Sequence, residues 1–290
     1  MNRLETGLLL FASPLLIVGA CSLYDGATGL SGVDGGQEDH VVPTYDASDG
    51  PDAAFDAPGL DSADTAPAFD PASISGLELW LRSDQGVTMD GGAVVAWQDI
   101  SGKNDPARNA TANSGQGPTV IDAGFGALSF TGSAELRTGS WDGGLTAPFS
   151  VFVVSGKDVI ANPPTTILFD SLNPAAQTAT ITNNNRLLQY AGAYGAPAAG
   201  TVSKPMSVIA VFNGASSFIL RSTNVVDAGF TNPGPNGFAA GLTIGNYAGG
   251  GANSFGGYIA ELIAYSRSLS ATEIASLNSY AAQRYGVIIQ

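Results

Sequence analysis

Two spacings of apolar residues organise the last three-quarters of this chain. Leu77-Glu78-Leu79-Trp80-Leu81-Arg82 alternates with period two, and Val94-Val95-Ala96-Trp97-Gln98 does the same. Side chains two apart share one strand face, so each stretch predicts a half-buried β-strand. Further strands are predicted at 127–130, 149–155, 165–169, 178–182, 186–190, 206–212, 218–222, 242–245 and 258–265. Turn formers separate them: Asp90-Gly91-Gly92, Asn162-Pro163-Pro164, Asn183-Asn184-Asn185, Asn213-Gly214 and Asn232-Pro233-Gly234-Pro235. Many short strands punctuated in this way indicate one all-β sandwich or barrel. The second spacing is helical and comes at the end. Ser270-Ala271-Thr272-Glu273 is a capping box, after which Ile274, Leu277, Ala281 and Tyr285 fall on one helix face and Gly286 suits a left-handed stop. This short helix is expected to pack on the sandwich exterior.

Composition narrows the chemistry. The 290 residues hold 11 Lys+Arg, 25 Asp+Glu, one His and one Cys, for a net charge of −14. Nucleic acid is excluded as a partner, because phosphate binding needs clustered cations. One Cys excludes an internal disulfide framework and a Cys-rich zinc site. The charge is unevenly placed. Residues 22–72 carry eleven acids and no base, whereas 73–290 carry 13 acids and 10 bases. The acidic segment 22–73 is rich in Asp, Ala, Gly and Pro and shows no apolar period, so it is expected to be a disordered tether. About 50 such residues span roughly 40 Å as a random coil, and like charges extend them further.

The N-terminus reads as an address. Residues 8–18 form a largely apolar run, too short for a membrane span. Val18-Gly19-Ala20-Cys21 follows and resembles the lipobox of bacterial lipoproteins. The resemblance implies a signal peptide over 1–21 and a lipid on Cys21 that anchors the protein to the membrane of the cell envelope. Ser22 in place of Asp implies an outer-membrane or surface destination.

Two motifs then frame the domain 74–290. Gly76-Leu77-Glu78-Leu79-Trp80-Leu81-Arg82-Ser83-Asp84 and Trp97-Gln98-Asp99-Ile100-Ser101-Gly102-Lys103-Asn104 open it. Ile259-Ala260-Glu261-Leu262-Ile263-Ala264-Tyr265-Ser266-Arg267-Ser268-Leu269-Ser270 and the helix close it. This resembles the LamG-like branch of the concanavalin A-like lectin/glucanase superfamily, while 110–250 carries no matching motif. The resemblance implies a jelly roll of two antiparallel sheets with first and last strands adjacent. It leaves the ligand open, since one fold hosts many functions.

The residues themselves argue against catalysis. The domain has no His and no Cys, which removes Ser-His-Asp, Cys-His and His-ligated zinc chemistry. Its four glutamates, Glu78, Glu135, Glu261 and Glu273, show no E-x-D-x-x-E spacing. Glu78 and Glu261 could face each other across the first and last strands as a carboxylate pair. Alternatively, Glu261 balances Arg82 or satisfies a backbone amide. For sugar binding, Trp80 and Trp97 read as core residues. Trp141, in a Gly-rich turn, is either an exposed ring or a cap on the sandwich edge. Tyr190, Tyr194 and Tyr247 could form a stacking platform, with Asn184 as a polar partner. Asp99, Asn104 and Asp105 share one loop and could hold Ca2+, although an Asp in such a loop also caps turns. The expected function is a lectin-like recognition module without catalysis, binding glycan or an extracellular partner. A structural protein of the envelope is the alternative, and a glycoside hydrolase or lyase ranks last.

Overall fold

The computed structural model describes residues 69–290, apart from 114, 163, 226–230, 239 and 251–253. The apolar N-terminal run, Cys21 and the acidic segment up to residue 68 lie outside the described residues. In chain order the strands are β1 (Leu77–Arg82), β2 (Val87–Asp90), β3 (Ala93–Trp97), β4 (Ala110–Thr111), β5 (Thr119–Ile121), β6 (Ala127–Phe130), β7 (Leu136–Arg137) and β8 (Phe149–Gly156). They continue with β9 (Thr166–Ser171), β10 (Ala179–Asn183), β11 (Arg186–Tyr190), β12 (Met206–Phe212), β13 (Phe218–Arg221), β14 (Leu242–Ile244) and β15 (Gly257–Tyr265), and the helix α1 (Ala271–Tyr285) follows. The predicted strands are all present within a residue or two. β2, β4, β5 and β7 carried no readable pattern and are additions from the structure.

The strands form two antiparallel sheets. The seven-stranded sheet runs β13-β12-β8-β15-β6-β5, with β1 also paired to β15; the eight-stranded sheet runs β11-β10-β9-β14-β7-β4-β3-β2. β15 is the long central element. One edge pairs with β8 from Tyr258 to Tyr265, and the other pairs with β6 at Gly257–Ile259 and with β1 at Glu261–Tyr265. First and last strands are therefore neighbours, as the resemblance implied.

Burial explains why the strands differ in sequence. The interior cluster between the sheets takes Leu79, Leu81, Val151, Val153 and Val208 from one sheet and Leu136, Leu168, Phe169, Leu187 and Ile244 from the other. A second cluster lies on the far side of the seven-stranded sheet, where Phe152, Val154, Ile209 and Ile263 meet Ile274, Leu277 and Ala281 of α1. β8 and β12 are thus buried on both faces, so their sequences read as continuous apolar runs instead of alternating. The helix starts as expected: Ser270 Oγ accepts from the Glu273 N–H, Glu273 returns a bond to the Ser270 N–H, and Gly286 stops it at φ 66°.

Ordered packing begins ahead of Ile74. Phe69 stacks edge-on to Tyr280 with centroids 6.2 Å apart, Asp70 caps a short 3-10 turn by accepting from the Ala72 N–H, and Tyr265 donates its hydroxyl to the Pro71 carbonyl at 3.2 Å. The last few residues assigned to the tether belong to the domain.

Candidate functional site

The two sheets are covered unequally, and this locates the site. α1 seals the outer face of the seven-stranded sheet. The outer face of the eight-stranded sheet carries a smaller apolar patch of Ile167, Ala179 and Ile181, against which Leu188, Tyr190 and Tyr247 pack while staying partly exposed. Alternation puts them there. Leu187 points into the interior cluster and Gln189 reaches across the sandwich to the Val211 carbonyl, so Leu188 and Tyr190 point out.

The pairing register lays a row of outward side chains across this face. Tyr190 on β11 pairs with Ala179 on β10; Asp170 on β9 pairs with Thr243 on β14, and Thr243 with Arg137 on β7. Four inter-strand steps separate Tyr190 from Arg137, roughly 19 Å. Segment 246–250 crosses the row. The Ala248 N–H donates to Asp170 Oδ2 at 3.1 Å, and the Ala248 carbonyl accepts from Arg137 Nη2 at 3.1 Å. The two peptide groups flanking Ala248 are thereby held, one by a carboxylate and the other by a guanidinium. Gly245 starts the segment at φ 78°, and a Cβ there would stand 2.0 Å from the Phe130 ring, so only glycine fits. Asp170 also accepts from the Ser171 and Thr178 N–H groups. Burial pushes its carboxyl up to about 6, and those three hydrogen bonds hold it from rising further.

The crossing segment leaves an aromatic half and a polar half. On the aromatic half, Tyr190 and Tyr194 meet edge to face at 5.0 Å, and Tyr194 is 66% exposed. Tyr247 packs onto the same apolar patch. The polar half is a recess of about 440 Å³ whose polar walls include Asn113, Gln116, Glu135, Arg137 and Asn246. Sequence reading did not single out this group, because its members lie up to 133 residues apart. The readable trace was Glu135-Leu136-Arg137, where Leu136 points inward and its neighbours point out together.

Other expectations resolve differently. Trp141 is 3% exposed and belongs to the interior cluster, with the Arg108 guanidinium 5.2 Å above its ring. It is not a surface ring. Asn184 is exposed, but it sits in the two-residue turn joining β10 to β11, with φ 51° there and 59° at Asn185. That is the far end of the hairpin from Tyr190, roughly 20 Å along the strand, so Asn184 does not join the tyrosines. Trp97 is fully buried in the interior, whereas Trp80 is buried beneath α1.

Asp99, Asn104 and Asp105 do line one depression, of about 670 Å³, with Gln85, Gln98 and Asn109. The carboxylate oxygens of the two aspartates are already engaged. Asp99 accepts from the Trp80 and Ser101 N–H groups and from Ser101 Oγ, and Asp105 caps the turn at Ala107 and lies 3.6 Å from Arg108 Nε. Ca2+ needs six to eight oxygens, several of them anionic, and this loop does not fit it. Among the described residues no three His, Cys, Asp or Glu side chains cluster as metal ligands.

No carboxylate pair forms between Glu78 and Glu261. Glu78 pairs with Arg108 at 3.1 Å and Lys103 at 3.2 Å. Glu261 is fully buried beneath α1, where Trp80 Nε1, the Tyr280 hydroxyl and the Tyr285 hydroxyl all donate to it. Burial raises its pKa, and the three donors work against that rise. Arg82, its cross-strand neighbour, pairs with Asp84 at 2.6 Å instead.

No protein-family model matches the chain, and no curated protein matches it. Solved structures do. Trypanosoma rangeli sialidase in complex with sialic acid is 16% identical with a TM-score of 0.51; the match covers 72% of this chain and 33% of the sialidase. Domain 4 of a GH43 extracellular arabinanase from Geobacillus stearothermophilus, in complex with arabinotriose, is also 16% identical with a TM-score of 0.51; there the match covers 70% of this chain and 98% of that domain. What is shared is the fold. The chain matches about a third of the sialidase's length and nearly all of the arabinanase domain's.

Proposed function

We propose that this protein is a lectin-like recognition module of the concanavalin A-like superfamily. In this reading it binds glycan on the outer face of its eight-stranded sheet without catalysis, and a lipid on Cys21 holds it at the bacterial envelope. The observation that carries the reading is the aromatic half of that face. Tyr190 and Tyr247 pack on an apolar base, and Tyr194 offers a ring 66% exposed. Sugar rings present C–H faces that stack on such rings, and a stacked aromatic contact contributes about 0.5–1.5 kcal/mol beyond area burial. The fold likeness to a domain in complex with arabinotriose is compatible with this reading.

Affinity electrophoresis of the full chain through gels containing arabinan, galactan, β-glucan or polygalacturonate is the test. At least one polysaccharide is expected to retard it, and Tyr190→Ala with Tyr194→Ala is expected to restore free migration. Unretarded migration in all four gels would sink the glycan reading. The anchor is tested alongside: labelled palmitate should enter the natural chain and not Cys21→Ala.

A further inference from the structure

We infer that the polar recess beside the crossing segment binds a pair of adjacent hydroxyls on a neutral sugar, with Glu135 as the acceptor. The inference rests on the glycan reading above and adds the class of sugar. Glu135 is 2% exposed, yet it lines the recess. One of its oxygens, Oε1, accepts from Asn113 Nδ2 at 2.7 Å and forms the ion pair with Arg137 Nε at 2.8 Å. Oε2 has no hydrogen bond among the described residues. A carboxylate oxygen that no protein donor occupies is free to accept from a ligand hydroxyl at the recess.

Charge selects the ligand. Among the described residues the Glu135 carboxylate and the Arg137 guanidinium are the only charged groups lining the recess, and they cancel. A uronate or other acidic sugar would bring its anion against Glu135 with no cation to spare. A neutral sugar suits both partners, since a hydroxyl both donates and accepts. One hydroxyl can donate to Glu135 Oε2 while its neighbour accepts from the guanidinium or from the Asn113 and Gln116 amides. The volume, about 440 Å³, falls in the range of small-ligand sites. Tyr190 lies in the same row roughly 19 Å from Arg137, so a ligand that spans from the recess to the Tyr190–Tyr194 pair is an oligosaccharide and not a single sugar.

The test uses the full chain against galactan, galactan whose adjacent diols have been cleaved with periodate, and polygalacturonate. Glu135→Gln keeps an oxygen for Asn113 and Arg137 and turns the other acceptor into a donor. It is expected to weaken galactan retention at least about tenfold, as removal of a bond to a charged acceptor does. Gln116→Ala removes a side chain that makes no hydrogen bond among the described residues, so it should leave folding intact and weaken retention about threefold. Periodate-treated galactan should be lost by the natural chain as well. If the natural chain binds galactan and Glu135→Gln binds it equally, the inference is overturned while the glycan reading stands. The same holds if polygalacturonate is preferred. If no polysaccharide binds at all, both fall together.

Discussion

Asp170 accepts three backbone N–H groups, but among the described residues no Lys or Arg forms an ion pair with it. Burial holds its carboxyl at about 6 against an ordinary 3.8. A folded-state value above the unfolded one means that protonation favours the fold. The contribution is complete below about 3.8 and is lost as pH rises through about 6, a swing of at most about 3 kcal/mol. Glu261 pushes the same way, since burial raises it too. Glu273 pushes the other way: its pairing with Arg267 lowers it to about 2, so its contribution is lost on acidification between about 4.5 and 2. Comparing Asp170→Asn with the natural chain isolates the first effect. Between pH 4 and pH 7 the unfolding free energy, from urea titration, should fall more in the natural chain than in the variant. Equal slopes would show that Asp170 does not titrate in this window.

Segment 246–250 is the element on which the candidate face depends, and Gly245 sets its direction. Gly245→Ala would combine a left-handed backbone with overlap on Phe130, which should cost about 2–4 kcal/mol. A thermal melt should show the loss, and galactan retention should fall as Asn246 and Tyr247 shift. A variant that melts and binds like the natural chain would refute this role for the segment. The same elements show what the sequence could disclose. β1, β8, β12 and β15 were legible because their apolar runs meet one or two buried faces. β4 and β7 have two residues each, and β2 and β5 lie at sheet edges with mostly exposed side chains, so pairing alone defines them. Tyr190, Tyr194 and Tyr247 were legible as ring positions. Trp141 misled because its Gly-rich surroundings read as a surface turn, while Arg108 and the interior cluster take its ring inside. The polar recess was illegible, since strand order and not sequence distance brings residue 113 beside 135 and 246.

For the whole molecule, the charge of −14 describes two different regions. Residues 22–72 hold eleven of the acids, and 73–290 are near balance with 13 acids and 10 bases. Within the described residues, seven of the domain's ten bases are spent locally: Arg82 and Arg284 on Asp84, Lys103 and Arg108 on Glu78, Arg137 on Glu135, Lys204 on Asp158 and Arg267 on Glu273. The proposed binding face is thus close to neutral, which agrees with recognition by rings and hydroxyls and not by charge steering.

The position of β15 also sets when the domain can fold. β1 has no other strand partner in the sheet, β8 loses one neighbour without it, and β6 keeps only β5. Trp80 and Glu261, joined by a hydrogen bond, stand 181 residues apart. Contacts so distant along the chain are slow to close and cannot form until both ends exist. A growing chain should therefore stay unfolded until about residue 265 has been made. Chains ending at Phe255 should be digested by protease as fast as denatured protein, whereas chains that include β15 and α1 should resist. Resistance in the shorter chains would mean that the sheet can nucleate without its central strand.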